Sequence, residues 1–192
     1  MTPLARLANV LLIGAAALCC SPSRARDTAP MVAPQLTTHG LAPVQLGMSI
    51  AIAERALHAK LGRLSRSSHG FATEPEASES CWLWRRRDGQ SSNISYMTEH
   101  GRIVRIDVSV STTAAASTLT TRGIGIGSAL GDVETAYGAD LQLEPHPLEE
   151  GTQWAVVGRD GVAGIRIEVR DGAVSAMFTA EGAALDYSEG CS

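Results

Sequence analysis

Two stretches of the chain carry hydrophobic residues at helical spacing, and each follows a glycine and a serine. In the first, the segment Leu46–Ser49 precedes a run whose apolar residues recur every third or fourth position, on one face of a helix. These apolar positions are Ile50, Ala53, Leu57 and Leu61. Ser49 can cap the first turn, and Gly62 suits the left-handed residue that follows the last one. The pattern predicts a helix between Ser49 and Gly62.

The second stretch, Gly123–Gly138, shows the same order of features in a shorter form. Here Gly127 and Ser128 precede the amphipathic run, and Gly138 closes it. The predicted core face consists of Ala129, Val133, Ala136 and Tyr137. This helix is predicted to be about one turn shorter than the first.

Alternating strand patterns follow each helix. The segment 81–87 would place Trp82, Trp84 and Arg86 on one face and Cys81, Leu83 and Arg85 on the other. Further strands are predicted near 93–98, 102–110, 154–157, 162–169 and 173–179. Turns are expected at Asp88-Gly89, His100-Gly101, Asp160-Gly161 and Asp171-Gly172. Asp-Gly pairs favour type I′ hairpin turns, which need positive φ at both central residues.

The strand regions of the two halves can be aligned with one gap. Trp82 aligns with Trp154, Arg87-Asp88-Gly89 with Arg159-Asp160-Gly161, Ile94 with Ile165, Tyr96 with Ile167 and Gly101 with Gly172. The sequence therefore predicts an α+β fold made of two repeats, each a helix followed by a three-stranded hairpin unit. We expect the repeats to form one antiparallel sheet with the helices packed on one face.

These patterns divide the chain into five predicted segments. Residues 1–20 are predicted to be a signal peptide, residues 21–38 a flexible linker rich in Ser, Pro, Ala and Thr, and residues 39–111 the first repeat unit. A connector at 112–122 leads to the second repeat unit and its C-terminal tail at 123–192.

The N-terminal segment has the features of an export signal. Arg6 precedes the apolar run Leu7–Leu18, which is shorter than the ~20 residues needed to cross a bilayer. Either Cys19 or Cys20 could be lipidated in a bacterial lipoprotein signal, whereas Ser23-Arg24-Ala25 suits ordinary signal peptidase. We therefore predict export, to the periplasm or to the outer membrane through a lipid anchor, and both alternatives stay open. Any membrane contact is expected through that anchor alone.

Two cysteines remain for the folded part, Cys81 and Cys191. In an oxidising compartment two cysteines most simply form one disulfide. The alternative is a pair of unbonded buried thiols. We predict the bond, which would fix the C-terminal tail.

Other candidate chemistry is weak. The run Gly123-Ile-Gly125-Ile-Gly127 resembles a dinucleotide loop, but the third glycine of that motif would fall at Leu130. Close backbone packing at the start of a helix explains these glycines better. The net charge of −4 gives no indication of a nucleic-acid partner. We predict no catalytic residue and no cofactor.

The five histidines show no metal-ligand spacing. His146 with Glu149 and Glu150 offers at most a weak cation site, and a solvated acidic loop is the commoner arrangement. We predict no metal site.

The segment Trp84, Arg85, Arg86 and Arg87 is the candidate interaction surface, because tryptophan and arginine dominate binding hot spots. The alternative is that the tryptophans lie under the helices and the arginines line the end of the hairpin. For Trp82 we expect burial, since Trp154 aligns with it.

The motif Leu46-Gly47-Met48-Ser49 before a helix, a glycine-closed turn and hairpins resembles the SmpA/OmlA-like outer-membrane-assembly lipoprotein family. The tandem arrangement is similar to that of the β-lactamase inhibitory protein family. The second copy departs from the motif, because Gly127-Ser128 lacks the methionine and the helix predicted to follow is shorter. The resemblance covers about Leu41 to Gly190 and implies this fold and a protein-binding function, with no catalytic residue.

Together these features predict a non-enzymatic cell-envelope protein that binds another envelope protein. One alternative is an inhibitor or immunity-type protein directed against a secreted enzyme. A second alternative is a small hydrolase or metal-dependent enzyme that uses His146 and neighbouring carboxylates.

Overall fold

The computed structural model describes residues 34–64, 80–90, 93–110, 118–158, 162–188 and 191. All of them belong to a single unit, Val32–Ser192. The fold is mixed α+β, with two α-helices and strands arranged mostly in antiparallel sheets. The helices are α1 (Ile50–Leu57) and α2 (Leu130–Tyr137), with short 3-10 helices at Gly138–Asp140 and Gly182–Leu185. The strands are β1 (Gln35–Thr37), β2 (Gly40–Leu41), β3 (Val44–Gln45), β4 (Leu61–Arg63), β5 (Cys81–Arg86), β6 (Ile94–Glu99), β7 (Arg102–Ser109), β8 (Leu119–Thr120), β9 (Leu141–Pro145), β10 (Thr152–Val157), β11 (Ala163–Arg170) and β12 (Ala173–Glu181).

An eight-stranded antiparallel sheet organises the molecule, in the order β4-β5-β6-β7-β12-β11-β10-β9. Each helix is followed in sequence by four consecutive strands of this sheet. The two groups of strands meet where β7 pairs with β12, with Asp107 opposite Phe178. A small second sheet has the order β3-β2-β1-β8, and its β1–β8 pair is parallel.

The sequence patterns undercount the strands. Four strands rather than three follow each helix, because β4 and β9 join at the two edges of the large sheet. Strand β4 has three residues and β9 has no regular burial alternation, so neither gives a period-two signal. Strand β1, Gln35–Thr37, lies within the stretch predicted as linker and pairs with β2 and β8.

Both helix boundaries differ from the prediction. Helix α1 ends at Leu57, His58 adopts the left-handed conformation (φ 49°), and Gly62 lies in β4. Helix α2 begins after Ala129 rather than after Ser128. Both helices have eight residues, so the expectation of a shorter second helix is wrong.

The glycines before the helices have two structural roles: Gly47 and Gly127 adopt positive φ with open space around them, and Gly125 alone is closely packed. Gly47 (φ 81°) donates its amide to the Ile103 carbonyl over 2.7 Å, and Gly127 (φ 87°) donates to the Val174 carbonyl over 2.8 Å. At Gly125 a Cβ atom would lie 2.7 Å from a side-chain carbon of Leu119. Positive φ at Gly123 and Gly127 and the close approach at Gly125 are local structural reasons for this glycine run.

Two of the expected turns have the predicted conformation. Both central residues have positive φ at His100-Gly101 (48° and 77°) and at Asp171-Gly172 (51° and 77°). At Asp88-Gly89 only the glycine does (73°), because this connection between β5 and β6 is longer than a two-residue turn. The prediction of a type I′ turn there is wrong. Asp160-Gly161 and the preceding Arg159 lie outside the described residues.

Two hydrophobic cores lie on opposite faces of the large sheet, since consecutive strand residues alternate between them. The first core contains Ala53 of α1, Val133 and Tyr137 of α2, and strand residues such as Tyr96 and Ile167. The second core contains the buried residues Met97, Trp154, Val156, Phe178, Ala180, Ala184 and Leu185. The C-terminal residues Gly182–Tyr187 and Cys191, here named the C-terminal strap, contribute to this second core.

The predicted disulfide is confirmed. Cys81 of β5 bonds to Cys191, with their Cα atoms 5.5 Å apart and 110 residues between them in sequence. Cys81, Leu83 and Cys191 all border the second core. The bond therefore ties the end of the strap to the face of the sheet that the strap covers.

Candidate interaction surface

An arginine and two tryptophans form a cluster at the β4 edge of the sheet. Arg63 lies opposite Trp84 in the β4–β5 register. The guanidinium carbon of Arg63 is 4.6 Å from the centre of the Trp82 ring and 5.1 Å from that of the Trp84 ring. All three side chains are partly exposed. We name these three residues the Trp–Arg cluster.

Trp84 anchors this cluster to the fold. Its indole N–H donates to the hydroxyl of Thr98 over 2.9 Å, and its ring packs against the first core. A tryptophan with one apolar side against a core and one polar contact has little rotational freedom. The cluster is therefore a fixed feature of the edge.

The four residues predicted as one interaction surface do not share one face. Trp84 and Arg86 point to the side of the first core, whereas Arg85 alternates to the other side with Leu83. Arg86 is held by Asp88, with 3.0 Å between its Nε and Oδ1, and this contact lowers the pKa of the Asp88 carboxyl. The structure instead brings Arg63, which the sequence patterns did not single out, to Trp82 and Trp84.

The edge around the cluster is rich in positive charge. Lys60 and Arg87 are joined through the backbone, where the Arg87 amide donates to the Lys60 carbonyl over 3.0 Å. The Lys60 ammonium binds Glu54 at 2.9 Å, and Glu54 also accepts the Leu61 amide at 2.9 Å. The hydrogen bond from Lys60 is the main cause of the lowered pKa of Glu54. These contacts fix the end of α1 to β4.

The opposite face of the sheet carries a second arrangement of arginines and aromatic rings. Arg166 stacks on Trp154, with its guanidinium carbon 3.8 Å from the ring centre, and lies 5.8 Å from the Phe178 ring. Arg105 stacks on Phe178 at 3.6 Å. Arg166 is fully buried and Arg105 nearly so. We name these four residues the arginine–aromatic ladder.

The C-terminal strap binds this ladder through polar groups. Arg105 donates to the Tyr187 carbonyl over 2.7 Å, and Arg166 binds the Asp186 carboxylate at 2.8 Å. Arg105 also donates to Asp107 at 2.6 Å. Burial raises the pKa of the Asp107 carboxyl, and the neighbouring Arg105 opposes that shift. The ladder is thus an internal support for the strap.

Trp82 and Trp154, which the sequence alignment equates, lie on opposite faces of the sheet. Trp154 lies in the second core, whereas Trp82 and Trp84 face the side of the first core. A shift of one residue moves a strand side chain to the opposite face of a sheet. Trp154 therefore shares its face with Leu83, and its burial indicates nothing about Trp82.

His146 has a structural environment. Its Nδ1 accepts the amides of Leu148 and Glu149 over 3.2 and 2.9 Å, and its ring lies edge-on to Trp154 with 4.7 Å between ring centres. Glu149 is bound by Arg170. These contacts engage Nδ1 of His146 and the carboxylate of Glu149. Within the described parts of the chain, no three His, Cys, Asp or Glu residues come together as a metal site.

The sequence patterns did not identify Arg63 or Arg166 as residues of these two clusters. Arg63 follows a predicted helix and carried no periodic signal, so only the β4–β5 register identifies its partner. Arg166 stands between two isoleucines in an alternating strand, a pattern typical of a solvent-facing arginine. The missing fact was that the C-terminal strap covers this face.

Comparison of the chain with models of known protein families, with curated proteins and with solved structures gives no match. Neither helix among the described residues has the length and apolar character needed to cross a bilayer. Cys19 and Cys20, the candidate lipidation sites, lie outside the described residues.

Proposed function

We propose that this protein is an exported, non-enzymatic cell-envelope protein that binds another envelope protein through the Trp–Arg cluster. The observation that carries the proposal is the pair of partly exposed indoles held together by Arg63 at a sheet edge. Tryptophan and arginine are the residues most enriched in binding hot spots. The anchoring of Trp84 by Thr98 supports this function, because a pre-ordered aromatic loses little entropy on binding.

Export is supported by two independent features. The N-terminus has a positive residue, Arg6, before a short apolar run, as signal peptides do. The Cys81–Cys191 disulfide belongs to the kind of bond that persists in oxidising compartments such as the periplasm. We propose a periplasmic location, either soluble or anchored through a lipid on Cys19 or Cys20.

We further infer that the fold consists of two repeats, with both helices packed on one face of the sheet. Residues of α1 and α2 share the first core, which supports the common face. The residues before the two helices also pair in the same way. Ser49 forms an isolated antiparallel β-bridge with Arg102 at the start of β7, and Ala129 forms one with Ala173 at the start of β12. This arrangement agrees with the resemblance to tandem SmpA/OmlA-like units.

The strand register supports the same inference. In β7 the extra residue of a bulge is Val104, and in β12 it is Ser175. These two residues are 71 positions apart, as are Gly101 and Gly172 of the two turns. Asp107 and Phe178 are also 71 positions apart and face each other where β7 meets β12. A two-fold axis between β7 and β12 would place corresponding positions of the two strands opposite each other, as Asp107 and Phe178 are.

The binding proposal can be tested in the cell envelope. A photo-crosslinking amino acid is placed at Ser80, an exposed residue two positions before Trp82, and, as a control, at Gln153 of β10, near the opposite edge of the sheet. We expect protein adducts from position 80 and none of the same mass from position 153. The adduct should disappear when Trp82 and Trp84 are replaced by Ala in a chain whose circular dichroism is unchanged. Adducts that persist in that variant would refute a role for the Trp–Arg cluster.

Export and lipidation have their own test. Cell fractionation and intact mass of the expressed full chain will locate the processed N-terminus, and labelled palmitate will report a lipid. Replacing Cys19 and Cys20 by Ser separately identifies the modified residue. A cytoplasmic, unprocessed protein would contradict the proposed periplasmic location.

A further inference from the structure

We propose that Arg63 is the recognition residue for a carboxylate on the binding partner, so that the Trp–Arg cluster selects acidic protein segments. The inference rests on the proposed binding function and adds the chemistry of the partner. It concerns the guanidinium N–H groups at the rim of the cluster rather than the indoles.

The guanidinium of Arg63 lies over the two indole rings. Among the residues that the structure describes, no carboxylate or carbonyl accepts a hydrogen bond from it. A guanidinium has five N–H donors in one plane, and a ring against its face leaves the donors at its edge available. The edge of Arg63 can therefore accept a new bidentate partner.

Two basic neighbours of Arg63 have different partners. Lys60 is bound to Glu54 at 2.9 Å, and Arg86 is bound to Asp88 through its Nε at 3.0 Å. Lys60 and Arg86 thus have acidic partners within the fold, whereas Arg63 has aromatic ones. Aromatic neighbours exclude water from one face of the guanidinium, which strengthens its attraction for an anion.

A protein carboxylate fits this site in both shape and charge. A carboxylate matches the planar fork of arginine in two parallel hydrogen bonds. The adjacent indoles offer apolar area beside the charge, which suits an acidic residue flanked by an apolar or aromatic one. The whole chain has a net charge of −4, so the positive edge is a local feature that would orient an acidic partner.

The experiment uses the full processed protein, labelled with ¹⁵N. It has three tryptophans, and their indole N–H signals report separately on Trp82, Trp84 and, as an internal control in the second core, Trp154. The probes are acetyl-Phe-Glu-Glu-Phe-amide and acetyl-Phe-Gln-Gln-Phe-amide. The two peptides have nearly the same shape and differ in charge.

We expect the glutamate peptide to shift the signals of Trp82 and Trp84 with a Kd about tenfold lower than that of the glutamine peptide. The Trp154 signal should not move. Arg63→Met should remove the preference for glutamate, and Arg63→Lys should retain part of it because the charge remains without the planar fork. Raising the salt concentration should weaken the glutamate peptide alone.

Equal binding of the two peptides to the wild-type protein, or an undiminished preference in Arg63→Met, would overturn the inference. This outcome differs from failure of the proposed function. If crosslinks to a partner depend on Trp82 and Trp84 but glutamate gives no advantage, the surface binds without selecting acids. If no crosslinks form while the glutamate preference is present, Arg63 recognises carboxylates but the envelope partner is not bound at this edge.

Discussion

The guanidinium carbon of Arg166 lies 3.8 Å from the centre of the Trp154 ring, and no part of the Arg166 side chain reaches solvent. A buried arginine is tolerated when it is stacked and paired, and here Asp186 of the C-terminal strap supplies a carboxylate at 2.8 Å. The strap and the ladder therefore depend on each other, and three of the following predictions concern that dependence.

Replacing Arg166 by Ala should destabilise the protein by about 3 kcal/mol. The change removes the stacking on Trp154 and leaves a cavity under the strap. The measurement is the free energy of unfolding in urea. Arg55→Ala, at an exposed position of α1, is the matched control and should change stability by less than about 0.5 kcal/mol. Similar values for the two variants would show that the ladder adds nothing to stability.

Removing the disulfide should loosen the strap before the rest of the sheet. The double variant Cys81→Ser with Cys191→Ser frees a loop of 110 residues, for which the chain-entropy model gives a loss of at most about 4–5 kcal/mol. Hydrogen exchange at Ala183–Asp186 should accelerate by a larger factor than exchange in β6 or β11. Uniform acceleration over all elements would argue instead that the strap and the sheet open together.

Two glycine-to-alanine changes should have opposite effects. At Gly164 a Cβ atom would lie 2.9 Å from both Leu185 of the strap and the Val157 carbonyl, so Gly164→Ala should destabilise the fold by about 1–3 kcal/mol. At Gly131 in α2 no atom lies within 4 Å of the new Cβ, and Gly131→Ala should stabilise by about 0.5–1 kcal/mol. Thermal unfolding measures both. A neutral Gly164→Ala would mean that the strap moves aside at no cost.

Because of the hydrogen bonds of Glu54, the free energy of unfolding should depend on pH in the acid range. Its pKa is lowered in the fold, chiefly by Lys60, so its contribution is present above the unfolded value of 4.5 and is lost as the pH falls through the folded pKa. Glu54→Gln should cost about 0.5–1 kcal/mol at pH 7, a modest value because Lys60 is largely exposed. The difference from the wild type should shrink when urea unfolding is repeated near pH 3. A constant difference across this range would exclude the ionic contribution.

Ionisation of the buried Tyr96 hydroxyl should lower the free energy of unfolding at alkaline pH. Burial raises the pKa of its hydroxyl to about 12, above its usual value of 10.0. The unfolded chain then releases this proton first, so the contribution of Tyr96 to the free energy of unfolding is constant below pH 10 and falls as the pH rises from 10 to 12, by roughly 2–3 kcal/mol in total. Tyr96→Phe should lose less stability than the wild type over that interval. Equal losses in the two proteins would place the alkaline effect elsewhere.

The long strands and the disulfide could be predicted from the sequence. The long strands show in the local residue pattern, and the disulfide follows from the number of cysteines. Strands β5, β6, β7, β10, β11 and β12 each span six or more residues, and Cys81 and Cys191 have no competing partners in the folded part. Strands β4 and β9 could not be predicted, since an edge strand of few residues is defined by its neighbour rather than by its own period.

The site was predictable only in part. Trp82, Trp84 and Arg86 were correctly placed on a common face of β5, but the partner of the two indoles is Arg63, which is 19 residues before Trp82. The alignment of Trp82 with Trp154 did not predict a common face. Shifting one strand sequence by one residue against another leaves their compositions similar, but it moves every side chain to the opposite face of the sheet. The ladder could not be inferred, because burial of Arg166 requires knowing where residues 182–187 lie.

The pairing of β7 with β12 has a consequence for the separated halves. Asp107 and Phe178 face each other across that seam. A first half produced alone would have β7 as an open edge, and a homodimer built on the two-fold axis inferred above would set Asp107, with its partner Arg105, against its own copy. A second half produced alone would bring Phe178 against Phe178. Because Arg105 offsets much of the charge of Asp107, we expect a weak electrostatic bias against pairing of the first half, and aromatic contact to favour self-association of the second. Joining the halves in one chain sets an acid against an aromatic ring at the centre of the sheet, which makes the correct intramolecular pairing the preferred one.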